Sequence, residues 1–177
     1  CCPVCSPYRA SLLTGQYPLT HGVFLNDVPL RSEATSLAEV YRRSGYQTAY
    51  LGKWHLDGNQ RSAFIPRERR QGFEFWKVLS CTHAYNNSVY YGDDNVRRKW
   101  DGYDALAQTR EAQQYIRDHA DGPPFALVLS WGPPHDAYGT AHQKYKDLFQ
   151  PDPLALRPNV PEADRAKARA ALAGYYA

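Results

Sequence analysis

A cysteine and an arginine stand one helical turn apart near the start of the chain, in the stretch CSPYRASLLTG, Cys5 to Gly15. Pro7 suits the first turn of a helix because it has no N–H to leave unpaired, and Gly15 suits a helix end. Arg9 then lies on the same helical face as Cys5. Because a helix start carries free N–H groups and partial positive charge, the stretch favours an oxyanion beside Cys5.

Other chemistries for this cysteine depend on spacing. Cys2 and Cys5 have the CxxC spacing of a redox pair at a helix start, although the strand that precedes such a pair would lie before the first residue. Tetrahedral zinc needs a second cysteine pair, and only Cys1 and Cys81 remain. A cysteine-based phosphatase needs an arginine six residues after its cysteine, where this sequence has Ser11. A buried free cysteine beside a surface arginine is the structural alternative.

Helices and strands alternate along the rest of the chain. The pattern Ser36-Leu-Ala-Glu39 is typical of a capping box and predicts a helix that ends at Gly45. Apolar and small residues at helical spacing predict an amphipathic helix over residues 104–119. Its apolar face is expected to contain Leu106, Thr109, Ala112 and Ile116. Residues 58–99 and 137–160 are expected to form long surface loops.

Two predicted strands end next to residues that can do chemistry. Residues 47–51 are followed by Gly-Lys53-Trp-His55, and the buried-strand run 125–129 is followed by Trp-Gly-Pro-Pro-His135. Side chains two apart on extended backbone point the same way, so Lys53 and His55 are expected to face one site. The element order predicts an α/β fold, a layered and largely parallel sheet flanked by helices. Ligands in such folds sit beyond the carboxyl ends of the strands.

The segment from Cys5 to Gly15 resembles the CxPxR signature of the type I sulfatases. The segment from Gly45 to His55 resembles that family's second signature, and Trp131 to Tyr138 is similar to the segment where sulfatases place another sulfate-binding histidine. By this resemblance Cys5 is the precursor of Cα-formylglycine, whose hydrate offers one hydroxyl to attack sulfur and one to expel sulfate. Tyr8 stands where many members carry a small residue, and is expected to be a subgroup feature.

The resemblance also implies roles for individual side chains. Lys53 is expected to bind sulfate and the formylglycine hydroxyl, and His55 to take the proton of that hydroxyl when sulfate leaves. His135 is expected to bind sulfate, and Asp136 is interpreted as an orienting or capping residue. The predicted catalytic set is Cys5, Arg9, Lys53, His55 and His135. The predicted substrate-binding set is Lys53, His135, His83 and Asn86.

A further implication is an alkaline phosphatase-like (sulfatase) fold that is incomplete here. Residues 1–177 are expected to be part of a single catalytic domain, without an internal boundary and truncated at both ends. One calcium ion is expected, held by Cys5 as formylglycine and by oxygen ligands outside the chain, where a further lysine is also expected. Asp93-Asp-Asn95 offers oxygens but stands at the wrong place in the order. The fragment alone is therefore expected to be inactive.

The composition of the chain limits the kinds of partner that it can have. The longest apolar run, 125–129, is far shorter than the roughly 20 residues that cross a bilayer, so no membrane span is expected. The net charge is only +3 and the basic residues are scattered, which argues against a nucleic-acid partner. The expected partners are a sulfated small molecule or glycan and a formylglycine-generating enzyme that acts on the nascent chain. The family resemblance implies an exported, periplasmic or secreted, or a lysosomal-type location.

Two alternatives to a sulfatase of carbohydrate or aryl sulfates stay open at this point. One is a formylglycine-dependent phosphonate or phosphodiester hydrolase of the same superfamily. The other is a non-catalytic relative in which Cys5 stays a thiol. The preferred ester, of sulfate or of phosphorus, distinguishes a sulfatase from the phosphonate or phosphodiester hydrolase. The chemical state of Cys5, formylglycine or thiol, distinguishes it from the non-catalytic relative.

Overall fold

The computed structural model describes residues 2–152 and 154–177. Its helices are α1 Cys5–Thr14, α2 Pro18–His21, α3 Leu37–Arg43, α4 Asp104–Asp118, α5 Gln143–Lys146 and α6 Arg165–Tyr176. Its strands are β1 Gln47–Lys53, β2 Phe75–Leu79, β3 Val89–Tyr90, β4 Arg98–Lys99 and β5 Phe125–Ser130. Short 3₁₀ turns span Arg67–Arg69, Tyr138–Thr140 and Glu162–Asp164.

The main sheet has three parallel strands in the order β2-β1-β5, so β1 is central. Its register places Lys53 opposite Leu79 and Gly52 opposite Ser130, and the carboxyl ends of the three strands lie at one edge. Strands β3 and β4 form a small antiparallel pair. The predicted α/β fold with a parallel sheet is confirmed.

The two predicted loops contain regular structure. Strand β2 lies within residues 58–99, so the loop prediction is wrong there. Its five residues FWKVL include Lys77, whose side chain pairs with Glu111 of α4 rather than with solvent alone. In residues 137–160 the structure has the turn Tyr138–Thr140 and helix α5.

The helix starts follow the local signals. The side chain of Ser36 accepts a hydrogen bond from Glu39 N, while the carboxylate of Glu39 accepts one from Ser36 N, which confirms the capping box. Helix α1 ends at Gly15, which has φ 69°, and the Gly15 N–H donates to Ser11 O at 2.8 Å. Glycine adopts this left-handed conformation without a steric penalty, so the predicted helix end is confirmed.

Helix α4 begins and ends close to its predicted bounds, but its buried face differs. Of the four predicted apolar-face residues, only Ala112 is buried, and Ile116 is exposed. The face against the sheet instead contains Asp104, Ala107, Gln108, Ala112 and Tyr115. Ala107 and Ala112 pack with Leu51 of β1, and the ring of Tyr115 contacts Phe75 of β2, so the fit to the strands rather than hydropathy alone selects this face. Strand β5 is likewise half-buried along its whole length, not buried as predicted.

An aromatic cluster forms the centre of the core beneath the strand ends. Tyr50, Trp54, Phe73 and Trp76 contact one another with ring centroids 5.0 to 6.0 Å apart, and each side chain is at most 3% exposed. Trp54 is fully buried between Lys53 and His55. Packing of Trp54 therefore anchors the segment that carries both of these side chains.

Trp54→Ala is expected to lower the free energy of unfolding by about 3–5 kcal/mol, because it leaves a cavity in this cluster. The control is Trp131→Ala, which removes an indole that is 47% exposed and is expected to cost under about 1 kcal/mol. Denaturant titrations followed by circular dichroism would measure both. Equal losses in the two variants would contradict a core role for Trp54.

None of the helices in residues 2–152 and 154–177 combines the length and the hydropathy that crossing a bilayer requires.

Candidate functional site

Cys5 and Lys53 meet where the start of a helix faces the end of a strand. Cys5 is the first residue of α1 and is partly exposed, and Lys53 is the last residue of β1. Lys53 Nζ lies 3.7 Å from Cys5 Sγ, and the lysine is only 7% exposed. A poorly solvated ammonium and a helix N-terminus both favour negative charge, so position 5 suits an anionic or oxyanionic group.

Arg9 joins α1 to the carboxyl ends of two strands. Its Nη1 donates hydrogen bonds to Lys53 O at 2.8 Å and to Ser130 Oγ at 2.7 Å, with Tyr50 OH further away at 3.4 Å. Tyr50 OH also donates to Lys53 O at 2.8 Å. The sequence predicts that Arg9 lies on the same helical face as Cys5; its hydrogen bonds in the described part of the chain go to the strand ends. Arg9 thus fixes the backbone of Lys53.

Gly52 allows the strand ends to approach this closely. It has φ 100°, and a Cβ atom there would lie 2.1 Å from the carbonyl oxygen of Ser130. No other residue type fits this conformation and spacing without moving β5. The glycine before Lys53 is therefore a packing requirement of the site.

His55 is buried beside Lys53 in a conformation that the sequence does not predict. Its φ of 57° lies in the left-handed region, so the alternation of side chains along an extended strand ends before His55. Its Nε2 lies 2.9 Å from Asp27 Oδ1. Arg61 binds the same carboxylate from the other side, with Nε donating to Oδ1 at 3.0 Å and Nη2 to Oδ2 at 2.7 Å. The result is an Arg61–Asp27–His55 chain of hydrogen bonds.

Charge and burial set the protonation states of the hydrogen-bonded residues Asp27 and His55. The hydrogen bond from Arg61, with a smaller contribution from His55, lowers the pKa of Asp27 to about 2. Burial is the main cause that lowers the pKa of His55, and the charges of Lys53 and Arg61 lower it further, while Asp27 opposes them. Asp27 is therefore a carboxylate and His55 a neutral imidazole at pH 7.

His135 lies in a second cluster, on the loop that follows β5. Its ring stacks on the ring of His83 with centroids 4.5 Å apart. His135 Nδ1 lies 2.9 Å from the backbone oxygen of Asp136 and also pairs with the carboxylate of that residue. Burial lowers the pKa of His83, and the charges of His135 and Lys53 lower it further. Asp136 thus contacts the ring of His135, and its orienting role stays a prediction.

Other loop residues have structural contacts. Asn86 Nδ2 donates to Thr140 O at 3.1 Å, which joins its loop to the loop after β5. Tyr85 is buried and its OH donates to Asp136 O at 3.0 Å; burial raises the pKa of Tyr85 to about 12. The structure thus pairs His83 with His135, and it gives the amide of the predicted substrate-binding residue Asn86 a backbone partner.

The described residues do not by themselves fit a calcium ion. Calcium takes six to eight oxygen ligands, whereas the three-residue metal-ligand cluster found in residues 2–152 and 154–177 is His83, His135 and Asp136, with two nitrogen donors and one carboxylate. Asp27 is near His55, but Arg61 and His55 already bind its carboxylate. The expected carboxylate ligands outside the chain stay a prediction.

Sequence reasoning missed four residues of the site. They are Asp27, Arg61, Tyr50 and Ser130. Asp27 lies 28 residues from His55 and 34 from Arg61, so no local spacing connects them. The signal that could have pointed to Asp27 is the pair Asn26-Asp27, because both residue types tolerate a left-handed turn, and Asp27 has φ 64°. Ser130 is the last residue of β5, at the strand edge where ligands gather.

Known proteins match this chain over nearly its whole length. The family model described as Sulfatase matches residues 1–171. The chain is 51% identical over 177 residues to the ulvan-active sulfatase of Formosa agariphila, covering 99% of this chain and 35% of that protein. It is 30% identical over 194 aligned positions to the endo-4-O-sulfatase of Bacteroides thetaiotaomicron, covering 90% and 38%.

A solved structure agrees with these matches. The crystal structure of the sulfatase-family protein yidJ from Bacteroides fragilis superposes on this chain with a TM-score of 0.90 and 27% sequence identity. The alignment covers 99% of this chain and 45% of the yidJ chain. The chain spans 35% and 38% of the two curated relatives, a little over a third of their length. The family match includes the cysteine helix, the Lys53–His55 segment and the His135 loop. The chain belongs to the sulfatase family.

Proposed function

We propose that the protein containing this chain is a sulfuric ester hydrolase that releases sulfate from a sulfated carbohydrate, with Cys5 converted to Cα-formylglycine. The observation that carries the proposal is the 3.7 Å approach of Lys53 Nζ to Cys5 Sγ at the start of α1. Family membership supports the reaction, and the relatives named ulvan-active sulfatase and endo-4-O-sulfatase support a carbohydrate substrate.

The surroundings of Cys5 fit a formylglycine. The side chain is partly exposed, faces a buried ammonium and begins a helix whose N-terminus favours oxygen anions. When formed, this group supplies two geminal hydroxyls, one for attack on sulfur and one for the expulsion of sulfate. A thiol supplies neither of them.

The other residues of the chain bind and hold protons. Lys53 binds the oxygen at position 5 and a sulfate oxygen, and Arg9 fixes Lys53 by binding its carbonyl oxygen. His55, neutral at pH 7 because burial lowers its pKa, accepts a proton at its free ring nitrogen. His135, oriented by Asp136, binds sulfate together with its stacking partner His83. Preorganised donors of this kind account for much of an enzyme's rate enhancement.

Further parts of the proposal rest on family membership. One calcium ion would neutralise the sulfate charge, with ligands mostly outside this chain, so no step here is assigned to it. The formylglycine-generating enzyme is the proposed modifying partner. An exported location, periplasmic, secreted or lysosomal-type, stays a prediction.

The proposal is tested on the full-length protein, co-expressed with a formylglycine-generating enzyme. Sulfate release is measured from ulvan and from an aryl sulfate, and phosphate release from a phosphodiester and a phosphonate monoester. We expect the sulfate esters to have the higher kcat/KM, with ulvan the better sulfate donor. A preference for the phosphorus esters would support the phosphonate or phosphodiester hydrolase instead. An unmodified thiol at Cys5 without turnover of any ester would indicate a non-catalytic relative.

A further inference from the structure

The turn that contains Asp27 is attached to the residue directly after Cys5. Ser6 is fully buried, its N–H donates to Asn26 Oδ1 at 2.9 Å and its hydroxyl donates to His55 O at 2.6 Å. The Asp27 N–H points to the same hydroxyl at 3.4 Å. One buried serine therefore connects the start of α1, the Asn26-Asp27 turn and the backbone of His55.

The Asp27 carboxylate is held in one orientation although it is 41% exposed. Arg61 binds both of its oxygens, a two-point contact that fixes the plane of the carboxylate. The left-handed backbone at Asp27, φ 64°, places the side chain on the His55 side of the turn, where Oδ1 meets Nε2. Without Arg61 a half-exposed aspartate would be free to rotate into solvent.

This contact fixes which ring nitrogen of His55 carries the proton. A carboxylate has no hydrogen to donate, so the 2.9 Å contact requires His55 Nε2 to be the donor. In a neutral ring the other nitrogen, Nδ1, then has a free lone pair. His55 Nδ1 is buried and has no hydrogen-bond partner among the described residues. A buried imidazole with an unpartnered basic nitrogen fits proton transfer better than a purely structural histidine.

We propose that Asp27, clamped by Arg61, is a positioning residue that holds His55 in the Nε2–H tautomer and so makes Nδ1 the atom that accepts a proton during sulfate-ester hydrolysis. The assignment rests on the proposed sulfatase function for the role of His55 in turnover. The tautomer itself does not depend on that function. Asp27 acts through His55 and does not touch the substrate.

Asp27→Asn in the full-length protein tests the assignment. Asparagine tolerates the left-handed backbone at this position, so the turn is retained while the charge is lost and the side-chain amide can donate to Nε2. We expect kcat for an aryl sulfate to fall about 10²-fold with KM changed less than about threefold, because general-base catalysis is impaired while the sulfate contacts stay. Arg61→Gln should lower kcat by a smaller factor.

The matched control is Asp94→Asn, because Asp94 also forms a two-point ion pair with an arginine, Arg98, on the surface. It should leave kcat unchanged. An Asp27→Asn protein with kcat equal to that of this control would overturn the assignment.

A second readout does not need turnover. In protein labelled with ¹⁵N-histidine, protonated and unprotonated ring nitrogens give separate signals, and the His55 signals are those lost in His55→Gln. We expect the wild-type protein to carry the proton on Nε2 and Asp27→Asn to shift population to the Nδ1–H tautomer. A wild-type ring protonated on Nδ1 would refute the positioning role even if the enzyme is active. A protein with the expected tautomer that hydrolyses no sulfate ester would contradict the proposed function and leave the tautomer assignment supported.

Discussion

Replacing Cys5 with alanine in the full-length protein is expected to lower the rate of sulfate-ester hydrolysis by at least about 10⁴-fold, to the background of the assay. The proposed nucleophile derives from this one side chain, and removal of a nucleophile typically leaves only the catalysis due to binding and electrostatics. Binding of the sulfated substrate should persist, because Lys53, His83 and His135 remain. Initial rates with an aryl sulfate and equilibrium binding of the carbohydrate would separate the two effects.

Cys2→Ala is the matched control for this experiment. Cys2 has the CxxC spacing to Cys5, but its Sγ donates to the backbone oxygen of Phe24 at 3.4 Å, and helix α1 begins at Cys5 and not at Cys2. We expect Cys2→Ala to retain turnover, whereas a redox pair would lose activity with either cysteine. Mass spectrometry of the peptide across Cys5 would show the aldehyde in both the wild-type protein and the control. Turnover by Cys5→Ala at a wild-type rate would refute the assignment of the nucleophile.

Signals confined to one short segment predicted much of the fold. Helix α1, the Ser36 capping box and strand β1 each depend on residues that lie close together in the sequence, and the structure has all three. Strand β2 was missed because its identity depends on pairing with β1 some 26 residues away. The buried face of α4 was also missed, since the shape of the sheet beneath it decides which residues fit.

In the candidate site, too, local sequence predicts the positions of the key residues but not the contacts between distant segments. The sequence places Cys5 at a helix start, Lys53 after a strand and His135 in the segment that follows the next buried strand; in the structure Cys5 begins α1, Lys53 ends β1 and His135 lies on the loop after β5. The contacts that orient these side chains join distant segments. Arg9 meets Ser130 across 121 residues, and His83 meets His135 from a different loop. Tertiary packing determines how these side chains are oriented, and patterns within a single segment do not predict it.

Lys53→Ala is expected to lower kcat/KM for sulfate esters about 10²- to 10³-fold. The lysine side chain is nearly buried and provides the cation that lies 3.7 Å from position 5. Loss of one preorganised donor beside a developing oxyanion typically costs this factor. The backbone should stay in place, because Arg9 and Tyr50 bind the carbonyl of Lys53 and not its ammonium.

Lys77→Ala is the control, because Lys77 lies on the neighbouring strand of the same sheet but pairs with Glu111 of α4, away from Cys5. Its kcat/KM should remain within about twofold of wild type. Lys53→Arg separates charge from shape: it restores a cation, but the planar guanidinium does not match the compact ammonium of a nearly buried lysine, so we expect only partial recovery. If Lys53→Ala and Lys77→Ala had the same kcat/KM, then the positive charge beside Cys5 would not contribute to the reaction, and the electrostatic basis of the proposed mechanism would be wrong.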